Sequence, residues 1–252
     1  MSKEKDVKQY WDDKAKSSPE TIFKDRYFKK VETDFISSLL KSKDVVLDVG
    51  CGVGADTLLY AEKVKKIYGV DYSQEMTKAS KNLSKVENAV FATMDIRNLN
   101  LKSNFFDKVI GEYVLVNLPS WKDQQKGIKE IYRVLKPRGL YIMCEATQQG
   151  LVDVDKYRKM FNIEPLKRHW HNVYLNEVQL GRCCADVGFE LVGSRRFGMY
   201  HFISKIIHPL LVYPEEPQFE AEINRVAADI ERKLQNNFPY CSHRVMWVWR
   251  KI

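Results

Sequence analysis

Two helical stripes open the chain. Val7, Tyr10, Trp11 and Ala15 recur at helical spacing, and Phe28, Val31, Phe35, Leu39 and Leu40 do so again, predicting a helical cap over residues 1–44. From Val45 short apolar runs alternate with amphipathic segments. Strands are expected at 45–49, at 67–70 ending in Asp71, and at 89–93, 106–112 and 140–144. Helices are expected near 55–64, at 73–83 with Ser73 as N-cap, and at 122–135, stopping at Lys136-Pro137-Arg138-Gly139. This alternation implies a doubly wound α/β fold with a mostly parallel sheet covered on both faces.

After Thr147 the pattern loosens. Residues 148–172 are polar, basic and aromatic and read as an insertion; a helix at 175–187 and a strand at 189–197 follow. Residues 200–213 are apolar, and Phe219, Ile223, Val226, Ala227, Ile230 and Leu234 form one helical stripe. Residues 244–250 carry apolar side chains on both faces, which predicts a closing strand, antiparallel to the rest and buried on both sides. The 252 residues suit one domain: the cap, a core at 45–146, and an addition at 147–252.

Composition narrows the class. No segment approaches the length of a membrane span, and the charged start Met-Ser-Lys-Glu-Lys-Asp lacks a signal peptide's apolar stretch. The five cysteines lack C-x-x-C spacing, so neither a disulfide framework nor a zinc site is expected, and a cytoplasmic location is the natural reading. The formal charge of +8 is spread along the chain, which favours a solvated surface over a nucleic-acid footprint. Oligomeric state is not encoded in any of these features.

The chemistry centres on V-V-L-D-V-G-C-G-V-G at 45–54. A buried strand runs into an acid and then into Gly50, Gly52 and Gly54, a turn whose missing side chains let a ligand approach the backbone. A dinucleotide and an S-adenosyl cofactor both bind such turns. Asp48 before the turn and Asp56 after it would repel a pyrophosphate and suit a ligand bearing sulfonium and ammonium groups. Tyr10 and Trp11 either pack the cap onto the core or roof this site.

The order of V-L-D-V-G-C-G-V-G, G-V-D-Y-S-Q-E-M at 69–76, M-D-I at 94–96, F-D-K-V-I at 106–110 and R-V-L-K-P-R-G-L-Y-I at 133–142 resembles the successive motifs of class I S-adenosylmethionine-dependent methyltransferases. The resemblance implies a Rossmann-like methyltransferase sheet and S-adenosyl-L-methionine as cofactor, with S-adenosyl-L-homocysteine as product. Gly50, Gly52 and Gly54 would line the methionine moiety and Asp71 would take both ribose hydroxyls. Tyr72 and Met76 would pack near the adenine, Asp95 would accept from its amino group beside the Ile96 backbone, and Glu112 would face the reacting end. Trp11 would cover the cofactor, and Arg26 would either pair with its carboxylate or make a surface ion pair. Arg138 stands where the family usually has a second glycine.

The segment after Glu112 lacks the Asn/Asp-Pro-Pro-aromatic motif of amino-directed nucleic-acid enzymes and a Pro-Cys nucleophile. It is similar, with E-A-T-Q-Q-G-L and H-W-H-N-V-Y-L-N-E, to methyltransferases of small-molecule and surface-polysaccharide biosynthesis. O-methylation of a small hydroxylated or saccharide acceptor is therefore expected, with C- or N-methylation of an aromatic ring, or a non-catalytic cofactor-binding scaffold, as alternatives. His171 is the first expected general base and Glu145 the second. Tyr113, Asn117, His169, Asn172, Tyr174 and His201 complete the expected substrate side. The His169-x-His171 pair has no further ligand at metal spacing, so no metal is expected.

Overall fold

The computed structural model describes residues 3–16, 23–234 and 237–252; the connection expected inside the cap includes 17–22, outside the described residues. Two helices, α1 (Lys3–Lys14) and α2 (Arg26–Ser38), precede the sheet, α2 starting where Asp25 accepts the Phe28 N–H. Then come β1 (Val45–Val49), α3 (Ala55–Ala61), β2 (Lys66–Asp71), α4 (Gln74–Leu83), β3 (Ala89–Thr93) and β4 (Phe106–Glu112). A 3-10 turn at Leu115–Asn117 leads to α5 (Trp121–Val134) and β5 (Leu135–Ala146). The remainder is α6 (Gln148–Met160), α7 (Glu177–Val187), β6 (Phe189–Arg196), α8 (Gly198–Phe202), α9 (His208–Val212), α10 (Glu222–Leu234) and β7 (Arg244–Lys251).

The seven strands lie in the order β3-β2-β1-β4-β5-β7-β6, with β7 antiparallel between β5 and β6 and the first five strands parallel. Side-chain alternation divides the core between the two faces. Leu47, Val109, Tyr141 and Trp247 pack with α5 and α7 on one side. Val46, Ile110, Ile142 and Met246 pack with α2 and α10 on the other. The order reverses between β1 and β4, so the carboxyl ends of those strands flank the crevice where an open α/β sheet binds its ligand.

Four segments depart from the expected reading. The strand after α5 begins at Leu135, not 140, because residues 136–139 bulge out of the ladder while Leu135 already pairs with Phe106. Arg138 holds φ +65° in that bulge, a left-handed conformation that costs a residue with a Cβ and that glycine adopts freely. Residues 148–160 form a helix, N-capped where Thr147 Oγ1 accepts the Gly150 N–H at 2.9 Å. On α10 the buried face carries Asn224, Ala227, Ala228 and Glu231, leaving Val226 and the preceding Phe219 exposed. Glu231 is drawn inward by Arg195 at 3.3 Å and the Tyr200 N–H at 3.1 Å, which apolar spacing does not reveal.

The apolar stretch at 200–213 is helical, with a π-helical turn at Ile203–Ile207 between α8 and α9. Pro209, at the start of α9, lacks the N–H that an unbroken ladder would use.

Candidate active site

The glycine turn is built by sterics. Gly50, Gly52 and Gly54 adopt φ of +70°, +54° and +81°. A Cβ at Gly50 would lie 2.8 Å from Val114, and one at Gly54 would lie 2.8 Å from Phe91 and Ser80. Space opens only at Gly52, where the nearest atom to a Cβ would be Met76 Sδ at 4.0 Å. The turn is pinned to the end of β2 by the N–H groups of Gly50 and Cys51, both donating to Val70 O.

Asp71 joins the turn to α4, accepting the Gly52 N–H at 3.0 Å and the Ser73 N–H at 2.9 Å. Each of its oxygens retains a second lone pair, as a two-hydroxyl ligand requires. Burial pushes Asp71 up to about 6, against the pull of its backbone donors. Asp48 is buried beneath the turn and takes a 2.5 Å hydrogen bond from Thr57; burial raises it to about 8. Asp71 therefore remains the ionised acid at the turn above about pH 6, open space faces Gly52, and Met76 is buried beside it, all of which fit a cationic S-adenosyl cofactor. Tyr72 and Ile96 lie at the carboxyl ends of β2 and β3, and Tyr72 Oη is buried without a partner among the described residues.

Asp95 is drawn aside by Arg97, whose Nη2 donates to it at 2.6 Å while also reaching Glu4 on α1. Burial works upward on Asp95, but the Arg97 hydrogen bonds hold its carboxyl below the usual range. Arg97 thereby fastens α1 beside the expected adenine. Trp11 Nε1 donates to Asn117 Oδ1 at 3.3 Å, and Tyr10 stacks on His171 with centroids 4.6 Å apart. Trp11, His169 and Trp170 also surround His171, at 5.8, 5.5 and 5.4 Å. Tyr10, Trp11, Asn117, His169 and His171 are thus brought together as a roof. Tyr174 receives the His169 N–H at 3.0 Å, and Val173 donates to Val116 O at 2.6 Å, seating this loop on the 3-10 turn. Asn172 Oδ1 is buried there.

Two expected residues are placed elsewhere. Arg26 is exposed and lies 3.7 Å from Glu220, the surface pairing. Glu145 is wholly buried, and its two oxygens take the Leu115 and Val116 N–H groups at 2.7 and 3.4 Å. It holds the 3-10 turn, and burial raises it to about 8. His201, expected on the substrate side, is buried against Phe28 at 4.7 Å, its Nδ1 3.1 Å from Ser242 Oγ.

A polar cluster at the carboxyl ends of β4 and β5 joins the expected Glu112 and Tyr113 to Lys29, Glu32, Tyr60, Cys144 and Arg244, which sequence reading missed. Glu112 accepts from Tyr60 at 2.8 Å and from Lys29 at 2.6 Å, and Lys29 also pairs with Asp56 at 3.0 Å. Burial opposes the charge on Lys29, yet Asp56, Glu112 and Glu32 hold it protonated, well above the ordinary lysine value. Tyr113, at φ +56°, donates its hydroxyl to Glu32 Oε1 and receives Arg244 Nη1 at 3.1 Å. A left-handed backbone at a bulky residue is strained, and such strain marks sites where the fold aims a side chain. Cys144 Sγ also donates to Glu32, at 2.9 Å. Burial pushes Glu32 up to about 7 despite Arg244 and Lys29 nearby. One hint was available: Lys29 and Glu32 are polar residues one turn apart beside the apolar stripe of α2.

Two broad surface depressions lie away from this chemistry. One of about 510 Å³ is lined by Asp34, Phe35, Arg195 and Arg232, and one of about 490 Å³ by Gln148, Val152 and Lys156. No group of three or more metal-ligating side chains occurs among the described residues, nor any helix long and apolar enough to cross a membrane. All five cysteines are unbonded.

Residues 47–143 match the family described as methyltransferase domain. The chain is 34% identical over 140 residues to an uncharacterized protein of Methanocaldococcus jannaschii, covering 56% of this chain and 51% of that protein. It is 34% identical over 109 residues to a demethylmenaquinone methyltransferase of Staphylococcus epidermidis, covering 42% and 44%. The chain thus spans about half the length of the curated relatives it matches. In fold it is similar to a chain from the complex between the Haloferax volcanii Trm112 methyltransferase activator and a candidate methyltransferase. That match has TM-score 0.63 and 16% identity, covering 95% of this chain and 96% of that one.

Proposed function

Because residues 47–143 belong to the class I S-adenosylmethionine-dependent methyltransferase family, we propose that the protein methylates an oxygen of a small hydroxylated acceptor, with Tyr113 and Glu32 moving the acceptor's proton. The pair at the end of β4 carries this choice: Tyr113 Oη donates to Glu32 Oε1, and burial holds Glu32 near neutrality. A carboxylate poised near the working pH is suited to taking a proton.

Gly50, Gly52, Gly54, Asp71, Tyr72, Met76, Ile96 and Asp95 would hold the cofactor, with Trp11 and Tyr10 above it. When bound, the cofactor supplies an electrophilic methyl carbon on sulfonium, whose C–S bond breaks with its electron pair left on sulfur. The acceptor hydroxyl loses its proton to Tyr113 Oη as the Tyr113 proton passes to Glu32 Oε1. Arg244, donating to the same phenol, stabilises negative charge developing there. Asp71, ionised above about pH 6, favours a cationic ligand. His171, held among Tyr10, Trp11, His169 and Trp170, orients the acceptor in the roof. A saccharide hydroxyl satisfies the same requirements as any other neutral hydroxyl.

Glu32→Gln and Tyr113→Phe should each bind S-adenosylhomocysteine as the parent does in calorimetry, yet lose about 10²-fold in turnover with labelled cofactor and acceptor pools. Retained turnover in both sinks the relay; failure of the parent to bind either S-adenosyl compound sinks the cofactor reading. The demethylmenaquinone relative favours a second reading, methylation of a ring carbon on a hydroxylated aromatic, which would use the same proton acceptor. Product NMR separates a methyl ether from a C-methyl. Binding without turnover on any pool would leave a cofactor-binding scaffold.

A further inference from the structure

Arg244 is half-buried at the start of β7, yet among the described residues only one of its five N–H donors, Nη1 to Tyr113, is used. Its guanidinium is held in orientation by the Phe23, Phe28 and Tyr113 rings, with centroids at 5.3, 4.8 and 4.7 Å. No described carboxylate lies within ion-pair distance of it, although Glu32 is one bond further on through Tyr113. Beside it, His243 carries a buried Nδ1 with no partner among the described residues. The His243 ring lies 4.3 Å from His201, which packs on the same Phe28 ring as Arg244. Burial first, and then His201, Arg244, Lys205 and Arg168, keep the His243 ring neutral. Glu32 and Asp25 act on the Arg244 charge from nearby, so what the chain leaves unspent beside the proposed proton acceptor is hydrogen-bonding capacity, on the Arg244 fork and on His243 Nδ1.

We infer that Arg244 and His243 form the acceptor-recognition subsite and that the acceptor is a small hydroxy acid, its carboxylate on Arg244 and His243 and its hydroxyl on Tyr113. A guanidinium fork matches a carboxylate's two oxygens. Because Nη1 and Tyr113 Oη are only 3.1 Å apart, the hydroxyl must be close to the carboxylate in the acceptor, as in an α- or β-hydroxy acid or an ortho-hydroxybenzoate. The inference rests on the methyltransferase reading for the fate of the hydroxyl but not for the binding of the anion.

Calorimetry with salicylate, 4-hydroxybenzoate, salicylamide and inorganic phosphate, each with and without S-adenosylhomocysteine, tests it. Salicylate should bind, 4-hydroxybenzoate and salicylamide at least about tenfold more weakly, and Arg244→Gln should lose salicylate by a similar factor while keeping S-adenosylhomocysteine affinity. Arg244→Lys should recover only part of the loss, since it restores charge without the fork. Should the Arg244 variants melt before assay, His243→Ala supplies the second arm, with an expected loss of several-fold. Equal binding of salicylate and salicylamide, binding of phosphate in its place, or unchanged salicylate binding in Arg244→Gln or His243→Ala overturns the subsite. Loss of S-adenosylhomocysteine binding in the parent overturns the methyltransferase reading instead, and salicylate alone still decides the anion site.

Discussion

Asp12 on α1 takes a 2.5 Å hydrogen bond from Ser73, the residue that caps α4 and whose N–H is bound by Asp71. The roof is thus tied directly to the acid expected to hold the cofactor's ribose. Asp12→Ala removes that tie while Glu4–Arg97 and Trp11–Asn117 still hold α1 among the described residues. Amide exchange over α1 should accelerate, and S-adenosylhomocysteine should dissociate several-fold faster, as expected for loss of about 1 kcal/mol of docking. Stopped-flow release and exchange mass spectrometry check both, and unchanged release would mean that α1 does not retain the cofactor.

Asp71 sets a pH limit on cofactor binding. Burial raises it to about 6, and only its ionised form keeps every lone pair available to the Gly52 and Ser73 N–H groups and to ligand hydroxyls. Affinity for S-adenosylhomocysteine should hold at pH 7–8 and fall as pH drops through about 6. Asp71→Asn should bind at least about tenfold more weakly at pH 7.5 and show a flatter profile, both readable by calorimetry.

Glu145 should make the protein less stable at alkaline pH. Its folded value of about 8 lies above that of an exposed glutamate, so the folded state holds a proton that the unfolded state has released. Its contribution is fully present below the unfolded value and disappears as pH rises through about 8. Glu145→Gln keeps an acceptor for the Leu115 N–H, and its thermal midpoint should fall less than the parent's between pH 5 and pH 8.5. A parallel slope in the two proteins would show that Glu145 is ionised throughout.

Arg138 offers a stabilising substitution. Glycine accepts φ +65° without the Cβ clash, so Arg138→Gly should gain about 1 kcal/mol, offset in part by added freedom of the unfolded chain. The adjacent Gly139 is not interchangeable with it, since a Cβ there would lie 2.8 Å from Lys136 O. Denaturant midpoints for Arg138→Gly and Gly139→Ala should move in opposite directions.

Local features that were legible share one origin, which is backbone periodicity and turn sterics. The β3 and β4 spans, the Ser73 cap and the glycine turn all arise from residues within a few positions of one another. The bulge at 136–139 was hidden because pairing of Leu135 with Phe106 depends on a neighbouring strand. The helix at 148–160 was hidden because its apolar face is weak, and its cap is a single threonine.

Arg26 and Lys29 show the boundary most plainly. Both are basic residues near the start of α2, and sequence reading singled out only Arg26, for either the cofactor carboxylate or a surface ion pair. Packing of Phe28 and Val31 on the sheet turns Lys29 inward to Glu112 and leaves Arg26 facing Glu220. Glu32 meets Tyr113 across 81 positions, and Arg244 meets Tyr113 across 131. The amino-acid order by itself determined the alternating α/β plan and a cationic-cofactor turn, since both are written in spacings that the backbone enforces nearby. Tertiary structure alone decided which charged side chains gather at the end of β4. That choice follows from strand order and helix rotation, which bury one face of α2 and the first residue of β7 against the same tyrosine.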